Sequence, residues 1–178
     1  MNIRKPTDYV TMFTTLDTLM AAQLPQMELY CEIGRVVSGR VEKGAAVAAS
    51  EYLQAAYPTA EGFSPRNLRR MRAFYAAYEE SPEIMRLAMD LGWTRNVAIL
   101  ERCGSNEERA WCIRAVLHFG WKKAKLLAAI ESQAWLYSSL DEQAVSCYTG
   151  GKEATQESES DEEDTLCVSR QDLTCSSK

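Results

Sequence analysis

The chain has 178 residues, 46% hydrophobic and 25% charged, with a net charge of -5. That is length and apolar content enough for one domain with a proper core, and no apolar run approaches the roughly 20 residues needed to span a bilayer. Six cysteines without a CxxC pair and a single histidine, His118, leave a zinc site no ligand set at its usual spacing. With no apolar N-terminal stretch to act as a secretion signal, the expectation is a cytoplasmic protein with reduced thiols and no cofactor.

The net charge hides an asymmetry. Residues 1–61 hold 5 Lys/Arg against 7 Asp/Glu, residues 62–125 hold 12 against 7, and residues 126–178 hold 3 against 11. The middle segment is therefore at +5 and the last at -8. Electrostatic attraction is screened within about 10 Å at 0.1 M salt, so the basic middle matters more to a docked partner than the total does.

The periodicity is helical nearly throughout. A first helix starts near Thr7 or Asp8 and carries Tyr9, Met12, Phe13, Leu16, Leu19 and Met20 on one side, with Pro25 as a break. A second runs from about 26 to 38 with Met27, Tyr30, Ile33, Val36 and Val37 apolar. Residues 44–57 are rich in alanine, which predicts a helix that lets a neighbour approach closely; Pro58 ends it.

Next comes the most informative stretch, Gly62-Phe63-Ser64-Pro65-Arg66-Asn67-Leu68-Arg69-Arg70-Met71-Arg72-Ala73-Phe74-Tyr75. Ser64 suits the N-cap and Pro65 the first helical position, where its missing N–H costs nothing. At 100° per residue, Leu68, Met71, Tyr75 and Tyr78 gather on one side and Arg66, Arg69 and Arg70 fall together opposite. A short helix follows Ser81-Pro82. Thr94 is predicted to cap another running through Leu100, and Ser105-Asn106-Glu107-Glu108 is a capping box opening one that Gly120 closes. Trp121 opens a last helix with Lys122, Lys123 and Lys125 in its first turn and Leu126, Leu127, Ile130, Trp135 and Leu136 inward. Lysines there oppose the helix dipole unless they meet an anion or an acidic neighbour. From Gly150 the composition changes, and residues 156–165 hold six carboxylates with almost nothing to bury. The expected organisation is a compact, all-α, multi-helix domain over 1–140 and a disordered acidic tail over 141–178.

The order of motifs resembles the N-terminal helical domain of the YhcG-type PDDEXK nucleases. The resemblance spans about residues 9–132. It is carried by Leu29-Tyr30-Cys31-Glu32-Ile33-Gly34, by Tyr57-Pro58, and by the long block from Gly62 to Tyr75. Leu91-Gly92-Trp93, Glu107-Glu108-Arg109-Ala110-Trp111 and Gly120-Trp121 follow in order. It implies a helix-turn-helix-like domain of a kind thought to bind DNA, here without the nuclease domain that follows it in the family. The chain has Val97 where a histidine is usual after the first tryptophan, and Ala124 where an arginine is usual after the last.

Arg66, Arg69, Arg70 and Arg72 suit phosphate contact, or guanine edges if the helix enters a major groove; a solvated face with salt bridges is the competing account. Asn67 suits an adenine edge or a hydrogen bond to its own turn. Lys122, Lys123 and Lys125 form a second phosphate patch or serve solubility. Tyr30, Tyr75, Trp93, Trp111 and Trp121 fit core packing; Arg35 and Arg109 fit interhelical ion pairs. His118 fits a capping or surface position. No Ser/His/Asp set and no phosphate-cradling glycine loop is present, so no catalysis and no small-molecule substrate are expected. The sequence thus supports a non-enzymatic DNA-binding accessory or regulatory module of a bacterium or mobile element. The rival is a protein-interaction module, homodimeric or associated with a nuclease, whose acidic tail contacts basic surfaces.

Overall fold

The computed structural model describes residues 8–42 and 44–137, and the acidic tail lies outside them. Eight α-helices follow in chain order: α1 Val10–Ala21, α2 Gln26–Ser38, α3 Ala45–Ala56, α4 Pro65–Tyr78, α5 Pro82–Met89, α6 Trp93–Arg102, α7 Asn106–Phe119 and α8 Lys123–Glu131. A 3-10 turn, Ala134–Leu136, comes after α8. The described residues contain no strand, so the fold is all-α.

Local chemistry marks three of the helix starts and the end of α7. Asp8 Oδ1 accepts from the Val10 N–H at 2.9 Å, Ser64 Oγ from Asn67 N–H at 3.3 Å, and Ser105 Oγ from Glu108 N–H at 3.1 Å. Each satisfies a donor that a helix start leaves without a partner. Glu108 reaches back to the Gly104 N–H at 2.8 Å, one residue before the usual capping-box donor. Gly120 ends α7 in the left-handed conformation with φ 63°, as a glycine C-cap requires.

Two boundaries differ from expectation. Thr94 does not cap α6: the helix begins at Trp93 behind Gly92, whose φ of 79° puts the chain where a side chain would be strained. The turn is closed instead by buried Asn96, whose Nδ2 donates to the Ala88 and Gly92 carbonyls at 2.7 and 3.0 Å. Likewise α8 starts at Lys123 with Lys122 at the cap. Trp121 sits in the preceding turn, stacked on Phe119 with ring centroids 5.4 Å apart.

The core has two apolar clusters joined through α2 and α4. One gathers Met12, Leu16, Ile33, Val37, Ala49, Leu53, Leu68 and Met71 from α1–α4. The other gathers Phe74, Tyr78, Ala88, Ile99, Ile113 and Leu126 from α4–α8. Burying a leucine or isoleucine completely contributes about 1.5–3 kcal/mol, and Leu68, Ile33, Ile99 and Ile113 are all at 0% exposure. Thus α4 gives its first half to one cluster and its second half to the other. Phe74 fills the buried stripe more completely than Tyr75, which is half-buried.

α2 and α4 approach so closely at Gly34 that a Cβ there would run into the Met71 backbone carbonyl. On α3, Ala45, Ala46, Ala49 and Ser50 are all buried, and Ser50 Oγ donates to the Phe63 carbonyl at 2.6 Å, pinning the loop that enters α4.

Tyr30 is buried, and Trp93, Trp111, Trp121 and Tyr75 pack partly buried against the clusters. Of the residues expected inward after α8, Leu126 and Ile130 are buried, Trp135 is half-buried and Leu136 is 50% exposed. The arginines expected to form interhelical pairs do otherwise. Arg35 pairs with Glu32 on its own helix at 2.6 Å, one turn being the shorter reach. Arg109 donates to the Cys103 carbonyl at 3.1 Å and to Asn106 Oδ1 at 2.9 Å, bracing the α6–α7 turn. No helix among the described residues is long and apolar enough to cross a membrane.

Candidate nucleic-acid interface

The N-terminal half of α4, the outer face of α6 and the start of α8 enclose an open cleft of about 800 Å³. Its walls are set by packing. Leu68 and Met71 fasten α4 to the first cluster, Ile99 fastens α6 and Leu126 fastens α8 to the second. The polar faces of the three helices are thereby turned toward one another.

Of the residues singled out by sequence, Asn67, Arg70 and Lys123 line this cleft. Arg66 reaches its edge, with Nη2 3.6 Å from Glu101 Oε1. Arg69, Lys122 and Lys125 are exposed but do not line it. Arg72 is elsewhere: its Nη2 donates to the Arg40 carbonyl at 3.3 Å and its carbonyl accepts from Ser38 Oγ at 3.4 Å, holding α4 to the end of α2. Two positions beyond Arg70 on a helix is a 200° rotation, and that carries Arg72 away from the cleft.

α6 supplies the charges that sequence reasoning did not single out. Glu101 Oε1 accepts from Arg70 Nε at 2.8 Å and from its Nη2 at 2.5 Å. These hydrogen bonds, with the nearby charges of Arg70 and Arg66, hold the Glu101 carboxyl below its ordinary pKa despite partial desolvation. Next along, Arg102 Nη1 pairs with Glu131 Oε1 of α8 at 2.8 Å. So α6 is laced to α4 by Glu101 and to α8 by Arg102. Arg70, Arg102 and Lys123 line the cleft together with Glu61 and Glu101, and Lys123 makes no ion pair among the described residues.

Asn67 is held by structure at both ends of its amide. Nδ2 donates to the Gly62 carbonyl at 2.6 Å and Oδ1 accepts from Trp93 Nε1 at 2.9 Å. His118 is exposed near the end of α7, its ring edge-on to Phe119.

The DUF1016 N-terminal domain family matches residues 14–137, well over half of the chain. The chain belongs to this family. It is the YhcG N-terminal family that the sequence resembles, and no nuclease domain is matched. The DUF1016 N-terminal match begins within α1 and ends just past the 3-10 turn, so it takes in the whole cleft and both apolar clusters apart from Met12. The family is one of unknown function. No curated protein and no solved structure matches the chain.

Proposed function

We propose that this DUF1016 N-terminal chain is a non-enzymatic DNA-binding accessory or regulatory module of a bacterium or mobile element. One observation carries the reading: α6 holds the arginine helix and the lysine-rich start of α8 as two walls of one cleft, with Arg70 on one and Lys123 on the other. Arg70 and Lys123 come from two basic stretches far apart in sequence and line the same cleft, and Arg66, Arg69 and Lys125 of those stretches are exposed. Arginine forks match phosphate oxygens bidentately. The Arg70–Glu101 pair does not forbid this, because exposed ion pairs are worth about 0–1 kcal/mol and a phosphate can replace the carboxylate. Asn67 serves the scaffold in this reading, and Arg72 braces α2.

The test is fluorescence anisotropy with a labelled duplex of about 20 base pairs. Affinity should fall steeply between about 50 and 200 mM salt, and Arg66→Ala, Arg70→Ala and Lys123→Ala should each lower the salt slope by about 0.9 per lost phosphate contact. Glu101→Gln, which frees both arginines, should tighten binding. Absence of binding at about 50 mM salt, both by the natural chain and by one with its tail carboxylates neutralised, sinks the reading.

A protein partner is the second reading, and the ion pairs favour it. Glu101 and Glu131 partly balance the cleft's cations, which suits a mixed-charge protein surface or a second copy of the chain. Sedimentation velocity separates the two readings: a concentration-dependent dimer with no duplex binding supports the partner.

A further inference from the structure

We propose that the cleft between α4, α6 and α8 has an occupant in its own chain: the acidic segment 157–164, which lies there in competition with nucleic acid. This deepens the nucleic-acid reading and rests on it for the competition, though occupancy of the cleft stands or falls separately.

Charge complementarity is the first support. The cleft is an open trough whose lining carries Arg70, Arg102 and Lys123 against Glu61 and Glu101, an excess of positive charge, with Arg66 at the edge. Lys123 has no carboxylate partner among the described residues, and Arg66 is 3.6 Å from an acid already bound by Arg70. Segment 157–164 reads Glu-Ser-Glu-Ser-Asp-Glu-Glu-Asp, six carboxylates in eight residues with only serines between them. It carries the anion density of a short phosphate backbone and no bulky group to hinder entry to the trough.

Tether length is the second. Lys123 and Leu127 of α8 form one wall of the cleft, and the described chain ends at Tyr137, six residues beyond α8. At about 1.5 Å per residue within α8 and at most about 3.5 Å per residue after it, Tyr137 lies within about 35 Å of Lys123. Between Tyr137 and Glu157 there are 19 residues, with a reach of up to about 70 Å. The segment therefore reaches the cleft with chain to spare, and a tether of this kind supplies an effective concentration of the order of millimolar. Contacts that are weak between separate molecules become populated in one chain. DNA with more phosphates displaces the segment, whereas incidental anions do not.

The test compares the natural full chain with a full-length variant whose six carboxylates in 157–164 are changed to the matching amides (Glu→Gln, Asp→Asn). In ¹⁵N-labelled protein at about 20 mM salt, the Arg70 and Arg66 Nε–H signals and the Glu101 and Lys123 amides should differ between the two chains, and the differences should collapse at about 500 mM salt. They should not depend on protein concentration. The labelled duplex should bind the neutral-tail chain about 3- to 10-fold more tightly. Superimposable cleft signals at low salt overturn the proposal, even if both chains bind duplex equally and the DNA reading survives. Signals that differ only at high protein concentration also overturn it, because the occupant would then be another molecule. If the cleft signals respond to the tail while neither chain binds duplex, the in-chain occupant stands and the DNA reading falls.

Discussion

The indole N–H of Trp93 donates to Asn67 Oδ1 across 2.9 Å, joining the first turn of α6 to the first turn of α4. The Trp93 ring meets Tyr30 and Phe74 edge-on, at 5.0 and 5.9 Å, so it touches residues of both apolar clusters. From the other end of its amide Asn67 holds the Gly62 carbonyl, where φ is 86° and a Cβ would run into the Tyr30 hydroxyl. One asparagine thus fixes the entry to the arginine helix and one wall of the cleft.

Asn67→Ala leaves the Trp93 N–H and the Gly62 carbonyl without these partners, and should cost about 1–3 kcal/mol. Trp93→Phe removes the same N–H while keeping an aromatic ring against Tyr30. The double variant should fall short of the sum of the two losses by about 0.5–1.5 kcal/mol, because the bond can be lost only once. Urea denaturation of all four proteins measures this, and strict additivity would remove the bond from the account.

Gly34 gives a sign test of the α2–α4 crossing. Glycine to alanine inside a helix ordinarily gains up to about 1 kcal/mol. Here the new Cβ would overlap the Met71 carbonyl, which is backbone and moves only if the helices separate. Gly34→Ala should therefore lose about 1–3 kcal/mol. Gly39→Ala is the control: Gly39 has φ -64°, and its nearest obstacles would be 3.7 Å away. It should be neutral or stabilising. If both variants behave alike in denaturation, the close crossing is not what selects glycine at 34.

What sequence made legible was the chemistry that acts within one turn. Ser64-Pro65, Ser105 with Glu108, and Gly120 each place a helix end through contacts at most four residues long, and the structure has them there. Sequence points to Thr94 as the α6 cap, whereas the helix begins at Trp93, because the deciding signal is a glycine at positive φ closed by a side chain four residues on. Asn96 has no such role until α5 and α6 fold together. The cleft itself was out of reach for the same reason. Arg70 and Glu101 are 31 residues apart, and nothing local marks Glu101 and Arg102 as the residues that would face α4 and α8. Wheel geometry did separate the arginine face from the core face of α4, and it also explains why Arg72 ends on the α2 side.

Asp17 on α1 gives the fold a pH signature at its other end. Its carboxylate accepts from Tyr52 Oη at 2.6 Å and from Tyr57 Oη at 2.9 Å, clamping α1 to the far end of α3. Those hydrogen bonds, ahead of desolvation and the negative charge of Asp17, push Tyr52 up to about 12 and raise Tyr57 in the same direction. In the unfolded chain both phenols ionise near about pH 10. A group whose folded pKa is raised contributes stability that is complete below its unfolded pKa and is lost as pH climbs toward the folded value. The clamp should therefore contribute fully at neutral pH and fade between about pH 10 and about 12. With Asp17→Asn the acceptor loses its charge, so Tyr52 and Tyr57 should ionise closer to about pH 10. The stability gap between the natural chain and the variant should then narrow across that window. Ultraviolet absorbance titration of the folded proteins reads the phenolates directly, and the difference between the two curves should amount to about two tyrosines ionising earlier in the variant. Coincident curves would show that Asp17 does not hold the phenolic protons.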